Sequence, residues 1–196
     1  MIVYLRWMGA NLQLSPEESA LVMDAGWILT KNSVMEKVVG MMAELSEVYK
    51  GLWVADIEPG NAKISRGENY LGLPWVILDY PRIFGREDVL AIRTMFWWGH
   101  PFSVTLHLKG RYQALYLPVI ERRRVLLAAA GFHVAIGEDE WRHELAPGNY
   151  VPIGEVRDIG ASRPFMKLSA AVRLDRWSAA PRLLASLFKE LAGIAG

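Results

Sequence analysis

The sequence predicts an α+β protein: an antiparallel sheet of about five strands with helices packed mainly on one face. Three observations carry this expectation. Two capping-box spacings open amphipathic segments near the N-terminus, strand-like runs separated by short turns occupy the middle, and a cleanly alternating segment followed by a leucine-rich stripe closes the chain. At 196 residues the chain reads as a single globular domain, 1–196, with residues 1–14 a loose arm or short strand.

The elements follow in order. Ser15-Pro16-Glu17-Glu18 combines an N-cap serine, a proline at the first helical position and a glutamate placed to complete a capping box, so a helix starts here and yields near Gly26. Ser33 and Glu36 repeat the spacing, and Val34, Val38, Met41, Leu45, Val48 and Leu52 define a second helix that ends at Gly51. From Pro59 to Gly72 the chain is rich in Gly, Asn and charge, which predicts a loop with at most a short strand over Lys63 to Ser65.

Trp75 to Tyr80 lies between prolines and is apolar on both alternating sets, as expected of a strand covered on both faces. Val89 to Trp97 and Phe102 to Lys109 form a hairpin. A helix is expected from Pro118 to Gly131, then a short strand over His133 to Ile136, then an irregular stretch to Pro164 with one helical turn near Trp141. Met166 to Leu174 alternates as a half-buried strand, with Lys167, Ser169, Ala171 and Arg173 on its outer set. Leu183, Leu184, Leu187, Phe188 and Leu191 make the buried stripe of a final helix.

Register decides what the hairpin is for, because a one-residue slip sends every side chain to the other face. A two-residue Gly99-His100 turn puts Arg93 on an otherwise apolar face, a costly burial unless a carboxylate meets it. A three-residue connection, Trp98-Gly99-His100, instead sets Phe96 opposite Phe102, Thr94 opposite Val104 and Ile92 opposite Leu106. The other face then gathers Arg93, Met95, Trp97, Ser103, Thr105 and His107, a mixture suited to the floor of a ligand site. The second register is preferred. Arg66, Glu68, Asn69 and Tyr70, in the preceding polar loop, are candidates to border that floor.

Composition narrows the function classes. Apolar residues make up 52% and charged residues 22%, and the net charge of +1 provides no whole-molecule field for nucleic acid or an anionic membrane. Arg122, Arg123 and Arg124 spread around a helix instead of forming a stripe, so no nucleic-acid footprint is expected. No apolar run is long enough to span a membrane, and no secretory leader is recognisable, which makes the cytoplasm the expected location. The chain has no cysteine, and His100, His107, His133 and His143 lack metal-ligand spacing, so neither metal nor cofactor is expected. Serine-hydrolase, dinucleotide and phosphate-loop motifs do not occur.

The residues therefore favour a module that binds a small molecule or protein partner through the hairpin face. One alternative is an enzyme acting on a small anionic or carbonyl substrate, with Arg93 orienting the anion, His107 moving a proton and Asp79 tuning one of them. In its structural reading Asp79 is simply the ion-pair partner of an arginine. A second alternative is a homodimer without ligand.

Overall fold

The computed structural model describes residues 12–160 and 163–196, so most of the expected N-terminal arm lies outside the described residues. The chain separates into two compact units, Met1–Lys37 and Val38–Gly196.

In the first unit Ser15 caps α1 (Pro16–Met23): its hydroxyl accepts from the Glu18 backbone N at 3.1 Å while Glu18 accepts from the Ser15 N at 2.7 Å. The capping box is therefore closed as the spacing implies. No residue of α1 is buried, and Leu21, Val22, Met23, Trp27, Ile28 and Leu29 are all exposed. The second helix, α2 (Ala25–Leu52), begins eight residues before the expected Ser33. Asp24 explains the earlier start: its Oδ1 accepts from the Gly26 and Trp27 backbone N atoms at 2.9 and 3.3 Å, taking the capping role expected of Ser33.

The second unit is an α+β fold around a seven-stranded antiparallel sheet, two strands more than the sequence suggests. The strands are β1 (Lys63–Tyr70), β2 (Leu73–Phe84), β3 (Val89–Trp97), β4 (Phe102–Lys109), β5 (His133–Ala135), β6 (Tyr150–Pro152) and β7 (Phe165–Val172), in spatial order β1-β2-β3-β4-β7-β5-β6. The expected loop before β2 is largely strand: β1 pairs with β2 despite its polar composition, because an edge strand needs apolar residues on neither face. β6 is three residues long, preceded by Pro147 and Gly148 and ending in Pro152, which hides it from periodicity.

The hairpin adopts the three-residue connection. Arg93 faces Thr105, Thr94 faces Val104 and Ile92 faces Leu106, and the Phe96 and Phe102 rings lie 5.4 Å apart. One face of the sheet thus presents Leu78, Leu90, Ile92, Phe96, Phe102, Leu106 and Leu168, all buried, to the helices. Tyr49 of α2 hydrogen-bonds Thr94 at 2.9 Å and stacks at 3.8 Å on Phe188 of α4 (Ala180–Ala195). Helix α3 (Arg111–Ala129) starts seven residues before Pro118. Tertiary contacts hold those first turns. Asp88 accepts from the Arg111 backbone N at 2.8 Å, and buried Gln113 donates to the carbonyls of Gly160 and Arg163. Gly110, at φ 60°, precedes the helix where a Cβ would meet Glu87 O at 2.5 Å, so glycine is required there.

Candidate functional site

Cross-strand pairing lines up one continuous row on the face opposite the helices: Lys63, Asp79, Arg93, Thr105, Ser169, His133 and Pro152, one residue from each of the seven strands. The next row along contributes Ser65, Ile77, Met95, Ser103 and Ala171. On the other side of the first, His107 pairs with Lys167. Polar side chains thus accumulate on one face because the alternation of each strand is kept in phase across the sheet.

That face is not open to water. The segment 137–149, irregular as expected and with a single turn at Trp141 closed by Arg142 N donating to Asp139 O at 3.3 Å, crosses it as a strap. Lys167 Nζ donates to the carbonyls of Glu140 at 3.1 Å and Arg142 at 2.6 Å. Lys109 Nζ pairs with Glu140 Oε1 at 3.0 Å, and the Tyr70 hydroxyl accepts from the His143 backbone N at 3.0 Å. Trp141 packs edge-on against His107 at 5.8 Å and beside Phe84 at 6.3 Å. The strap accounts for the largest departure from the sequence reading: β7 is buried on both faces, and Lys167, expected on a solvated set, is 1% exposed.

Beneath the strap the charges satisfy one another. Arg93 grips Asp79 through two parallel hydrogen bonds, Nε to Oδ1 at 2.8 Å and Nη2 to Oδ2 at 2.9 Å, so the ion-pair reading of Asp79 describes the geometry. Arg93 Nη1 also lies 2.9 Å from His143 Nε2. A guanidinium only donates, so Nε2 must be unprotonated and the imidazole neutral. Burial, reinforced by the positive charges of Lys167 and Arg93, holds His143 far below the usual imidazole range.

Burial and the Lys167 charge likewise push His107 down to about 4, against the opposing pull of Glu140. Its Nε2 lies 3.3 Å from Glu140 Oε2 without the alignment of a hydrogen bond. Burial and Arg93 lower Lys167 to about 7, and an uncharged amine still carries the two N–H donors that the two strap carbonyls accept. The Thr105 and Ser169 hydroxyls hydrogen-bond each other at 2.7 Å. The buried Tyr150 hydroxyl has no hydrogen-bond partner among the described residues, and burial raises its pKa.

Two cavities remain on this face, both bordered by Met95 and His143. The larger, of about 680 Å³, lies over β1, β2 and β3 and is lined by Tyr70, Trp75, Asp79, Arg93 and Trp141 among others. The smaller, of about 580 Å³, lies toward β7, β5 and β6 and includes Trp97, Ser103, Tyr150 and the strap residues Glu144 to Gly148. Both fall in the size range of small-molecule sites.

The sequence-predicted residues divide accordingly. Met95, Trp97 and Ser103 line cavity walls, as do Asp79, Arg93, Asn69 and Tyr70. Thr105 and His107 lie on the same face but border neither cavity. Arg66 pairs with Val76, a residue of the helix-side set, and neither Arg66 nor Glu68 lines a cavity. The Asn69 carboxamide also closes the β1–β2 turn by accepting from the Gly72 N at 3.0 Å.

Sequence reasoning missed Lys167, Glu140 and Trp75, and met His143 as one of four histidines without metal-ligand spacing. One signal pointed to Lys167: the polar set of its strand matches the polar set of the hairpin, as pairing of the two strands requires. Among the described residues no cluster of His, Asp or Glu is arranged to hold a metal ion, and no helix is long and apolar enough to cross a membrane. No protein-family model, no curated protein and no solved structure matches this chain, so its function is read from the geometry of this face.

Proposed function

We propose that the protein binds a small molecule on the strapped face of its sheet and does no chemistry on it. The observation that carries this reading is the pair of cavities sharing Met95 and His143, walled by aromatic and apolar side chains, with the buried Asp79, Arg93 and His143 already bonded to one another. Catalysis by Arg93, His107 and Asp79 would require the three to converge on one concavity. Instead Arg93 is committed to Asp79 and His143, and His107 sits behind Trp141 and Glu140, away from both cavities.

A thermal-shift screen of the full chain against a broad metabolite set tests the reading, since a ligand at a hundred times its Kd stabilises by about 2.7 kcal/mol. A compound should raise the Tm of the wild type and leave unmoved a folded Met95→Trp variant, in which the added indole fills the wall common to both cavities. A screen in which no compound moves the wild-type Tm, or in which Met95→Trp responds equally, overturns it.

A second reading, self-association, draws on a separate observation: the consecutive exposed apolar residues Leu21 to Met23 and Trp27 to Leu29. Light scattering during size-exclusion chromatography should then give a dimer that dissociates in Trp27→Ser/Leu29→Ser. A folded monomer at all concentrations removes this reading.

A further inference from the structure

We propose that the larger cavity takes a planar aromatic compound bearing an anionic group, its ring against the aromatic walls and its anion between Lys63 and Arg82. The inference deepens the ligand-binding reading and rests on it.

The walls come first. Tyr70, Trp75, Phe84 and Trp141 all border this cavity, and Phe84 and Trp141 are 39% and 51% exposed with centroids 6.3 Å apart. Aromatic rings left open at the mouth of a concavity offer faces and edges to another ring. Trp75 is a fixed wall. Its indole lies across Gly67 on the neighbouring strand, where a Cβ would come within 2.6 to 2.8 Å of three ring atoms, so only glycine lets the ring sit flat against β1.

The charges come second. Of the ionisable residues lining the cavity, Asp79 and Arg93 neutralise each other and His143 is an uncharged acceptor. Lys63 and Arg82 are exposed and form no ion pair among the described residues, leaving two positive charges and no uncompensated acid at the rim. A neutral ring would use the walls alone, and a bare inorganic anion the cations alone. An aromatic anion uses both, and its carboxylate or phosphate meets the guanidinium fork of Arg82 in a favourable geometry.

Isothermal titration calorimetry of the full chain with 2-naphthoate, 2-naphthyl phosphate and the neutral 2-naphthamide tests this directly. At low salt at least one anion should bind about tenfold or more tightly than the amide, and added salt should erode that advantage. Whichever anion binds better identifies a carboxylate or a phosphate source. Lys63→Met/Arg82→Met should bring the anions down to the amide while leaving amide affinity unchanged, and Gly67→Ala should weaken all three; if Gly67→Ala does not fold, Trp75→Leu replaces it. Equal binding of amide and anions, or a preference that survives the double variant, overturns the inference and leaves the ligand-binding reading standing. Binding of no probe at millimolar concentration also overturns it, and the broader reading falls as well only if the metabolite screen is blank.

Discussion

The two faces of the sheet are made by alternate residues of the same strands, yet they are closed in different ways. The helix face is closed by shape: Tyr49 stacks on Phe188, Phe96 packs against Phe102, and the Tyr49 and Thr94 hydroxyls satisfy each other. The opposite face is closed by a strap without regular structure, held by a few polar contacts at Tyr70, Arg93, Lys109 and Lys167. Packing on the helix side leaves a cavity of about 410 Å³ at the β1–β2 edge, bordered by Ser46, Lys50, Ile64 and Tyr80, whereas point contacts on the other side leave two larger ones. The difference teaches that a buried face need not be a filled one, and that the unfilled one is where a ligand has room.

The largest effect should fall on the helix face. Phe188→Ala removes a fully buried ring stacked on Tyr49 and should cost about 3–5 kcal/mol in urea unfolding. Met95→Ala, at a position 3% exposed that borders cavities already present, should cost about 2 kcal/mol, the low end for such a truncation. Equal costs would break the contrast between the faces.

Next in size is the pH dependence. With Lys167 at about 7 in the folded chain against 10.5 when unfolded, the unfolded chain binds more protons between those values. Stability should therefore rise with pH from 7 toward 10, by at most about 1.4 kcal/mol per pH unit from this group. Lys167→Met should flatten the rise. It should be less stable than wild type at pH 9, where two strap carbonyls lose their donor, with the deficit shrinking at pH 6, where the wild type must bury a charge. His107 acts in the same direction lower down: held at about 4 against 6.5, it makes acidification through that window destabilising, and His107→Gln should reduce the loss. Parallel curves for variant and wild type would show that neither group is buried as described.

A smaller effect is expected of Tyr70→Phe, which takes from the His143 N its acceptor and should cost about 1 kcal/mol. Its sharper signature is faster amide exchange at His143 with unchanged exchange in β3 and β4. The smallest is Arg66→Ala, an exposed position on the helix-side set of an edge strand, expected to stay within about 0.5 kcal/mol and to leave binding of the naphthyl probes unaltered.

The sequence by itself determined whatever depends on near neighbours or on a single strand pair. The Ser15 capping box follows from four adjacent residues, and the hairpin register follows from the cost of burying Arg93 among apolar partners, a cost that excludes the slipped pairing. The placement of Met95, Trp97, Ser103, Thr105 and His107 on one face follows from that register alone. Tertiary structure decided the rest. Lys167 reads as solvated because alternation distinguishes two faces without saying what covers them, and the cover is a segment more than twenty residues away with no periodicity of its own. Pro118 reads as a helix start because Asp88 and Gln113, which hold the earlier turns, act through contacts distant in the chain. Asp79 reads as the ion-pair partner of an arginine, but only the fold selects Arg93 for it and adds His143 to the guanidinium. Local rules report what each residue prefers; only the packed chain shows which of those preferences are already met and where space is left for a ligand.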